Sequence, residues 1–181
     1  SDVTKVLVQQ AANQLTSISH SVETYRAEME RLASMLPEYP VVMEMYGVGK
    51  SFGLQLMAEI GDVRRFARKQ ALIAFAGIDP MPNQSGEKNV RSNKSSKRGS
   101  PYLRKTLFNV MGIYLKRTPQ DEPVFLFLDR KRSEGKPFYV YMTAASNKFL
   151  RRYYAKVRDY LATLEDLPPV DMDSTGLQGS D

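Results

Sequence analysis

Cysteine and tryptophan are both missing from the 181 residues, and histidine occurs once. Without thiols the chain can form no disulfide and offers no cysteine nucleophile, and the usual zinc sites cannot be built from one histidine. No stretch approaches the roughly 18 uninterrupted apolar residues that a bilayer-spanning helix needs, and no apolar leader opens the chain. A membrane partner is therefore not expected, and the expected compartment is the cytoplasm. Acidic residues are scarce in the middle of the sequence, where residues 61–117 hold 13 Lys or Arg against only Asp62, Asp79 and Glu87.

The hydrophobic content of 42% permits one ordinary domain with an appended helix, and the formal net charge is +6. The sequence opens on Ser1 rather than Met, as expected of a piece cut from a longer protein. From Leu15 the apolar positions run Ile18, Val22, Tyr25, Met29, Leu32 and Leu36 at alternating spacings of 3 and 4, with Leu7 and Ala11 upstream. This is a heptad seam, so a long coiled-coil helix is expected over residues 1–37, ended by Pro37 and Pro40 and making a homo-oligomer the expected assembly. His20 lies off the seam and reads as a surface residue.

Residues 38–164 read as a compact, mainly helical domain. Val41 to Ile60 reads as a short helix, a Gly47-Val48-Gly49 hairpin and a second helix, together a helix-hairpin-helix-like unit. The two glycines suit a tight turn with positive φ, and bare N–H groups at a helix start suit a phosphate, with Lys50 and Ser51 adjacent. The spacing is not that of a P-loop. A short helix from Arg68 to Phe75 follows, ending at Gly77. After the Asp79-Pro80-Met81-Pro82 turn, Ser100 and Pro101 open a helix to about Arg117. Val124 to Leu128 begins a helix or a buried strand. A last helix runs from about Tyr139 to Leu164, with Phe149, Tyr153, Val157, Tyr160, Leu161 and Leu164 on one face and Lys148, Arg151, Arg152, Lys156 and Arg158 on the other. The acidic tail, residues 165–181, reads as disordered.

Residues 83–105 gather Lys88, Arg91, Lys94, Lys97, Arg98, Arg104 and Lys105 among small polar residues. Six such cations on phosphates would give a log–log salt slope of about −5, so nucleic acid is the expected partner. A serine can attack phosphorus if cations stabilise the developing charge, and Ser85 precedes a glycine that leaves room for a phosphodiester. The residues alone do not separate Ser85 from Ser92, Ser95, Ser96 or Ser100, although Ser100 is best explained as a helix cap. Arg91, Arg98 and Arg104 are close enough in sequence to assist. No carboxylate cluster lies near this loop, so no metal site is expected in the chain itself.

Taken together, Gly47 to Gly49, Ala58-Glu59-Ile60-Gly61-Asp62, Phe66, Ala74-Phe75-Ala76-Gly77-Ile78-Asp79-Pro80, Gln84-Ser85-Gly86, Ser96-Lys97-Arg98-Gly99 and Pro101-Tyr102-Leu103-Arg104 resemble the C-terminal domain of the insertion-sequence one-hundred-and-ten family. These are the DEDD transposases, which include bridge-RNA-guided serine recombinases. The resemblance implies a serine nucleophile at Ser85, DNA and a structured guide RNA as partners, and a coiled-coil segment matching the opening helix. It also implies Mg2+ held by acids of a RuvC-like domain. That domain looks absent from this chain, so the piece alone is expected to bind DNA without recombining it. Tyr46 stands before Gly47 where such proteins often carry proline, a departure that bears on turn rigidity. The competing expectation is a non-catalytic helix-hairpin-helix module of a repair or recombination protein, whose serines only contact phosphate.

Overall fold

A computed structural model describes residues 2–79 and 95–165. Seven α-helices and a 3-10 turn make up its secondary structure, and no strand occurs among the described residues. The helices are α1 (Asp2–Ala33), α2 (Tyr39–Met43), α3 (Gly49–Ile60), α4 (Lys69–Phe75), α5 (Pro101–Arg117), α6 (Pro123–Ser133) and α7 (Phe138–Glu165). The 3-10 turn (Val63–Arg65) joins α3 to α4.

Local chemistry explains most of the boundaries. Pro101 and Pro123 each stand in the first turn of their helix, where the missing N–H is not needed. Ser100 caps α5 by accepting from Leu103 N–H at 3.1 Å, and Glu122 caps α6 by accepting from Val124 N–H at 2.6 Å and Phe125 N–H at 3.0 Å. Arg130, Lys131 and Arg132 lie in the last turn of α6, where cations suit the helix dipole. Thr118 closes α5 in the left-handed region at φ 44°, its N–H donating to Tyr114 O at 2.9 Å.

The core lies between α7 and the helices around it. On α7, Met142, Ala145, Phe149, Leu150, Tyr153, Val157 and Leu161 recur at spacings that keep them on one face and are buried. They meet α4, α5 and α6, while α3 packs along α5. Leu56, Ile60, Leu72, Leu103, Leu107 and Met111 are fully enclosed, each contributing about 1.5–3 kcal/mol by burial. Tyr154 secures the α4 side, donating its hydroxyl hydrogen to Phe66 O at 3.0 Å and accepting from Arg158 at 2.8 Å. The expected apolar face of this last helix ends early, for Tyr160 is half-buried and Leu164 is exposed.

The long opening helix is present but ends at Ala33, short of the expected 37, and of the two expectations for Val124 to Leu128 the helix is the one observed. Every residue of α1 from position 2 to 29 is exposed, including Leu15, Ile18, Val22 and Tyr25 of the seam. Only its last turns engage the remainder of the fold. Ala33 is buried, α1 packs on α3, and Glu30 forms an ion pair with Lys50. His20 is exposed, as expected.

Candidate nucleic-acid interface

Residues 80–94 leave and rejoin the described fold at two points that lie against each other. α4 ends at Phe75, and the chain turns through Gly77 at φ +66°. The returning segment is pinned to this turn by backbone bonds. Ser96 N–H donates to Asp79 O at 3.0 Å, Lys97 N–H to Gly77 O at 3.1 Å and Ser100 N–H to Phe75 O at 2.7 Å. Side chains complete the closure: the Ser96 hydroxyl donates to the Asp79 carboxylate, and the Arg104 guanidinium donates to Ala76 O at 3.1 Å. Here Gly99 is a steric requirement, because a Cβ would fall inside the 3.0 Å limit of real contacts against the Phe75 carbonyl and the Gly77 nitrogen.

Ser100 has two roles at this neck. Its oxygen accepts from Leu103 N–H while its hydrogen goes to Glu59 Oε2 at 2.8 Å, linking the start of α5 to the end of α3. Further along the same pair of helices, Thr106 donates to Gln55 at 3.0 Å, and Gly47 faces the Tyr114 ring. These pairs run in opposite directions along the two chains, so α3 and α5 are antiparallel.

At the other end of α3 lies the Gly-Val-Gly turn. Both glycines have positive φ, 75° at Gly47 and 53° at Gly49, as the sequence predicts. A Cβ on Gly47 would stand 3.2 Å from the Tyr114 ring, whereas one on Gly49 would meet nothing within 4 Å. Only backbone conformation therefore demands glycine at position 49. No side chain caps α3, which leaves first-turn N–H groups for an external acceptor. Burial, then the Glu122 carboxylate, push the Tyr114 phenol above its ordinary value, so it stays neutral.

Turn and neck are not one site. Ten residues of helix separate Gly49 from Glu59, roughly 15 Å at the standard rise, which the sequence could not show. Lys50 is paired with Glu30 of α1, and Ser51 is exposed beside it. Lys97, Arg98 and Lys105 are exposed at the neck and form no ion pair with any described residue. Arg104 is half-buried on the Ala76 carbonyl. Ser85, Lys88, Arg91 and Lys94 lie outside the described residues.

Several cations that the sequence counted as available are engaged within the fold. Arg64 bonds Asp62 at 2.9 Å and Glu165 at 2.5 Å, holding the Asp62 carboxyl below its usual value while its own is raised. Arg65 lies 4.6 Å from the centre of the Phe66 ring and 4.7 Å from that of Phe75, and donates to Ile60 O at 2.9 Å. Its sequence gives no sign of this, whereas the glycines at 77 and 99 were a visible hint of close backbone approach.

Comparison with known proteins finds a likeness over part of this fold. Residues 39–123 match the model of the Transposase IS116/IS110/IS902 family, a stretch that runs from the start of α2 through the turn and the neck to the first residue of α6. Over 96 residues, 53% of this chain and 26% of the relative, the sequence is 31% identical to the transposase for insertion sequence element IS1111A of Coxiella burnetii. It is 30% identical over 121 residues to the insertion element IS900 uncharacterized 42 kDa protein of Mycobacterium paratuberculosis, 66% of this chain and 29% of that protein. A putative transposase of Sinorhizobium fredii, y4rJ, is 31% identical over 101 residues, 55% of this chain and 25% of its own length. The chain thus spans a quarter to three-tenths of these relatives, and it is similar to transposases through the segment that holds the neck.

Proposed function

We propose that this chain is the DNA-binding, serine-bearing part of an IS110-type transposase, organised as a coiled-coil helix over 1–37, a helical domain over 38–164 that Glu165 extends by one residue of α7, and an acidic tail beyond it to 181. The observation that carries the reading is the neck, where five hydrogen bonds bring both ends of the segment containing Ser85 together beside three unpaired cations. A loop fixed at its base offers its residues to a substrate at lower entropic cost than a free one. The match of residues 39–123 to a transposase family adds independent support.

In this reading Ser85 Oγ attacks a scissile phosphodiester in the full-length protein. The serine proton passes to a base, a bond forms between the serine oxygen and phosphorus, and the phosphorus–oxygen bond to the leaving strand breaks, that strand end taking up a proton and leaving as a hydroxyl. Attack by an incoming hydroxyl reverses the step and frees the serine. Arg91 and Arg98 stabilise charge on the phosphoryl oxygens. Arg104 holds the Ala76 carbonyl and acts through the loop's position. Lys88, Lys94, Lys97 and Lys105 bind the sugar-phosphate backbone, and the turn at Gly47, Gly49 and Ser51 takes a second phosphate roughly 15 Å away, about four base-pair steps of duplex. Lys50 joins it only by releasing Glu30.

Among the described residues no group of three or more His, Asp or Glu could hold a metal ion. Mg2+ would belong to acids of a RuvC-like domain outside this chain, and no step above is routed through it. A guide RNA as second nucleic-acid partner and pairing of α1 with a second copy complete the proposal.

The test uses full-length protein with its cognate element ends. A covalent protein–DNA adduct that survives denaturant should vanish in Ser85→Ala while duplex affinity stays within about twofold. Persistence of the adduct refutes the nucleophile. A second reading, a non-catalytic helix-hairpin-helix module, is favoured by the uncapped start of α3 and its two positive-φ glycines. It predicts duplex binding with no adduct in either protein.

A further inference from the structure

The start of α7 carries exposed aromatic side chains that the core does not use. Tyr139 is 74% exposed and Phe138 48%, unusual values for rings this large. They are not scattered. The Phe138 ring lies 5.3 Å from Tyr139 and 5.5 Å from Tyr141, edge to face in both cases, and the Tyr139 ring lies 6.3 Å from Phe108 of α5. Phe108 is half-buried and packed against the core, so it fixes the cluster in place.

Cations border these rings. Lys136 stands two residues before Phe138 and is exposed, and Lys105 lies one helical turn from Phe108 on α5. A turn further toward the neck stands Tyr102, 71% exposed. Tyr102, Lys105 and Phe108 therefore form a stripe about 9 Å long by helical rise, leading from the neck to the Phe138–Tyr139 cluster.

We propose that this stripe is a stacking track for single-stranded DNA, taking unpaired bases on Tyr139, Phe138 and Tyr102 and backbone phosphates on Lys105 and Lys136. Exposed aromatic faces interleaved with cations bind single strands without sequence preference, because every base has a π-face. A duplex, its bases already stacked, gains nothing from the rings. The choice of DNA rests on the proposed reaction at the neck, because exchanging a cleaved strand requires it to unpair from its old partner beside Tyr102.

The experiment measures binding of a fluorescein-labelled oligothymidylate, an oligouridylate of equal length and a blunt duplex to the 181-residue chain. Tyr139→Ala should weaken oligothymidylate binding roughly 5- to 150-fold, and Tyr139→Phe should restore it to within about threefold. Lys136→Ala should lower the salt slope for the single strand by about 0.7. Duplex binding should be unchanged in all three. Both side chains are exposed, so the variants should fold as the parent does, and a thermal melt of each checks it. Equal affinity of Tyr139→Ala and the parent for oligothymidylate overturns the track while leaving duplex binding, and with it the proposed function, intact. Loss of self-association in Tyr139→Ala with unchanged single-strand affinity overturns it in favour of a protein contact. A tenfold preference of the parent for oligouridylate overturns DNA as the occupant. Failure of the parent to bind any of the three removes both the track and the DNA-binding reading on which it rests.

Discussion

A methyl group added at Gly99 should loosen the neck, and one added at Gly112 should strengthen α5. At position 99 the new Cβ would press on the Phe75 carbonyl and the Gly77 nitrogen, both backbone atoms that no rotamer change can move aside. Relief requires the returning segment to withdraw by about 1 Å or more, which breaks the bonds from Ser100 N–H to Phe75 O and from Lys97 N–H to Gly77 O. Two lost hydrogen bonds at about 0.5–1.5 kcal/mol each, together with partly buried groups left unpaired, give a destabilisation of about 2–4 kcal/mol. For a chain of this size the melting temperature should fall by roughly 5–15 °C. Gly112 is the matched control. It lies inside α5 with nothing within 4 Å of a new Cβ, so Ala there should add about 0.8 kcal/mol by helix propensity alone. Thermal melts read the global effect, and amide hydrogen exchange at Ser100 and Lys97 reads the local one. A Gly99→Ala protein that melts within about 2 °C of the parent, with those amides still protected, would refute the account of the neck.

Three further outcomes are expected. Arg98→Ala should reduce the magnitude of the log–log salt slope for duplex binding by about 0.9, as measured by anisotropy between low and moderate salt; an unchanged slope would mean that Arg98 meets no phosphate. Ile18→Asp places a charge on the exposed seam of α1 and should convert an oligomer to monomer by light scattering, with folding stability within about 0.5 kcal/mol because Ile18 is already 61% exposed. The Asp62 carboxyl is depressed chiefly by its bond to the Arg64 side chain, so the stability it supplies is present above the ordinary aspartate value of 3.8 and is lost as pH falls through its lower folded value. Because the pair is largely exposed, Asp62→Asn should cost well under 1 kcal/mol at pH 7, and urea melts should show that difference vanishing toward pH 2.

The parts of the fold that the sequence announces are those written in local chemistry. Ser100 with Pro101 marks the start of α5, Pro37 lies just beyond the end of α1, and Gly77 follows α4, because caps and breakers act within a few residues. Positive φ at Gly47 and Gly49 was legible for the same reason. The arrangement of the site was not. Nothing local says that Gly99 meets Phe75, that Ser100 reaches Glu59, or that Arg65 spends its charge on two rings. The Gly99 and Ser100 contacts join positions far apart in the chain, and α3 packing antiparallel to α5 sets the second of them. Arg65 instead reaches rings one and ten residues on, because the 3-10 turn folds back over α4. The same packing sets the glycine turn and the neck at opposite ends of α3. Lys50 looked like a free cation because its partner, Glu30, belongs to α1, twenty residues upstream.

The antiparallel pair of α3 and α5 is a ruler with both ends read. Rigid helices change length only in steps of one residue, about 1.5 Å each, and every step turns the end by about 100°. Lengthening α3 alone would throw Glu59 off Ser100, so the two helices can be extended only in concert. Four residues added to both would carry the glycine turn about 6 Å farther from the neck while keeping its heading, and two residues would send it to the opposite side. The gauge between the two grips is thus adjustable in coarse clicks, never by smooth drift.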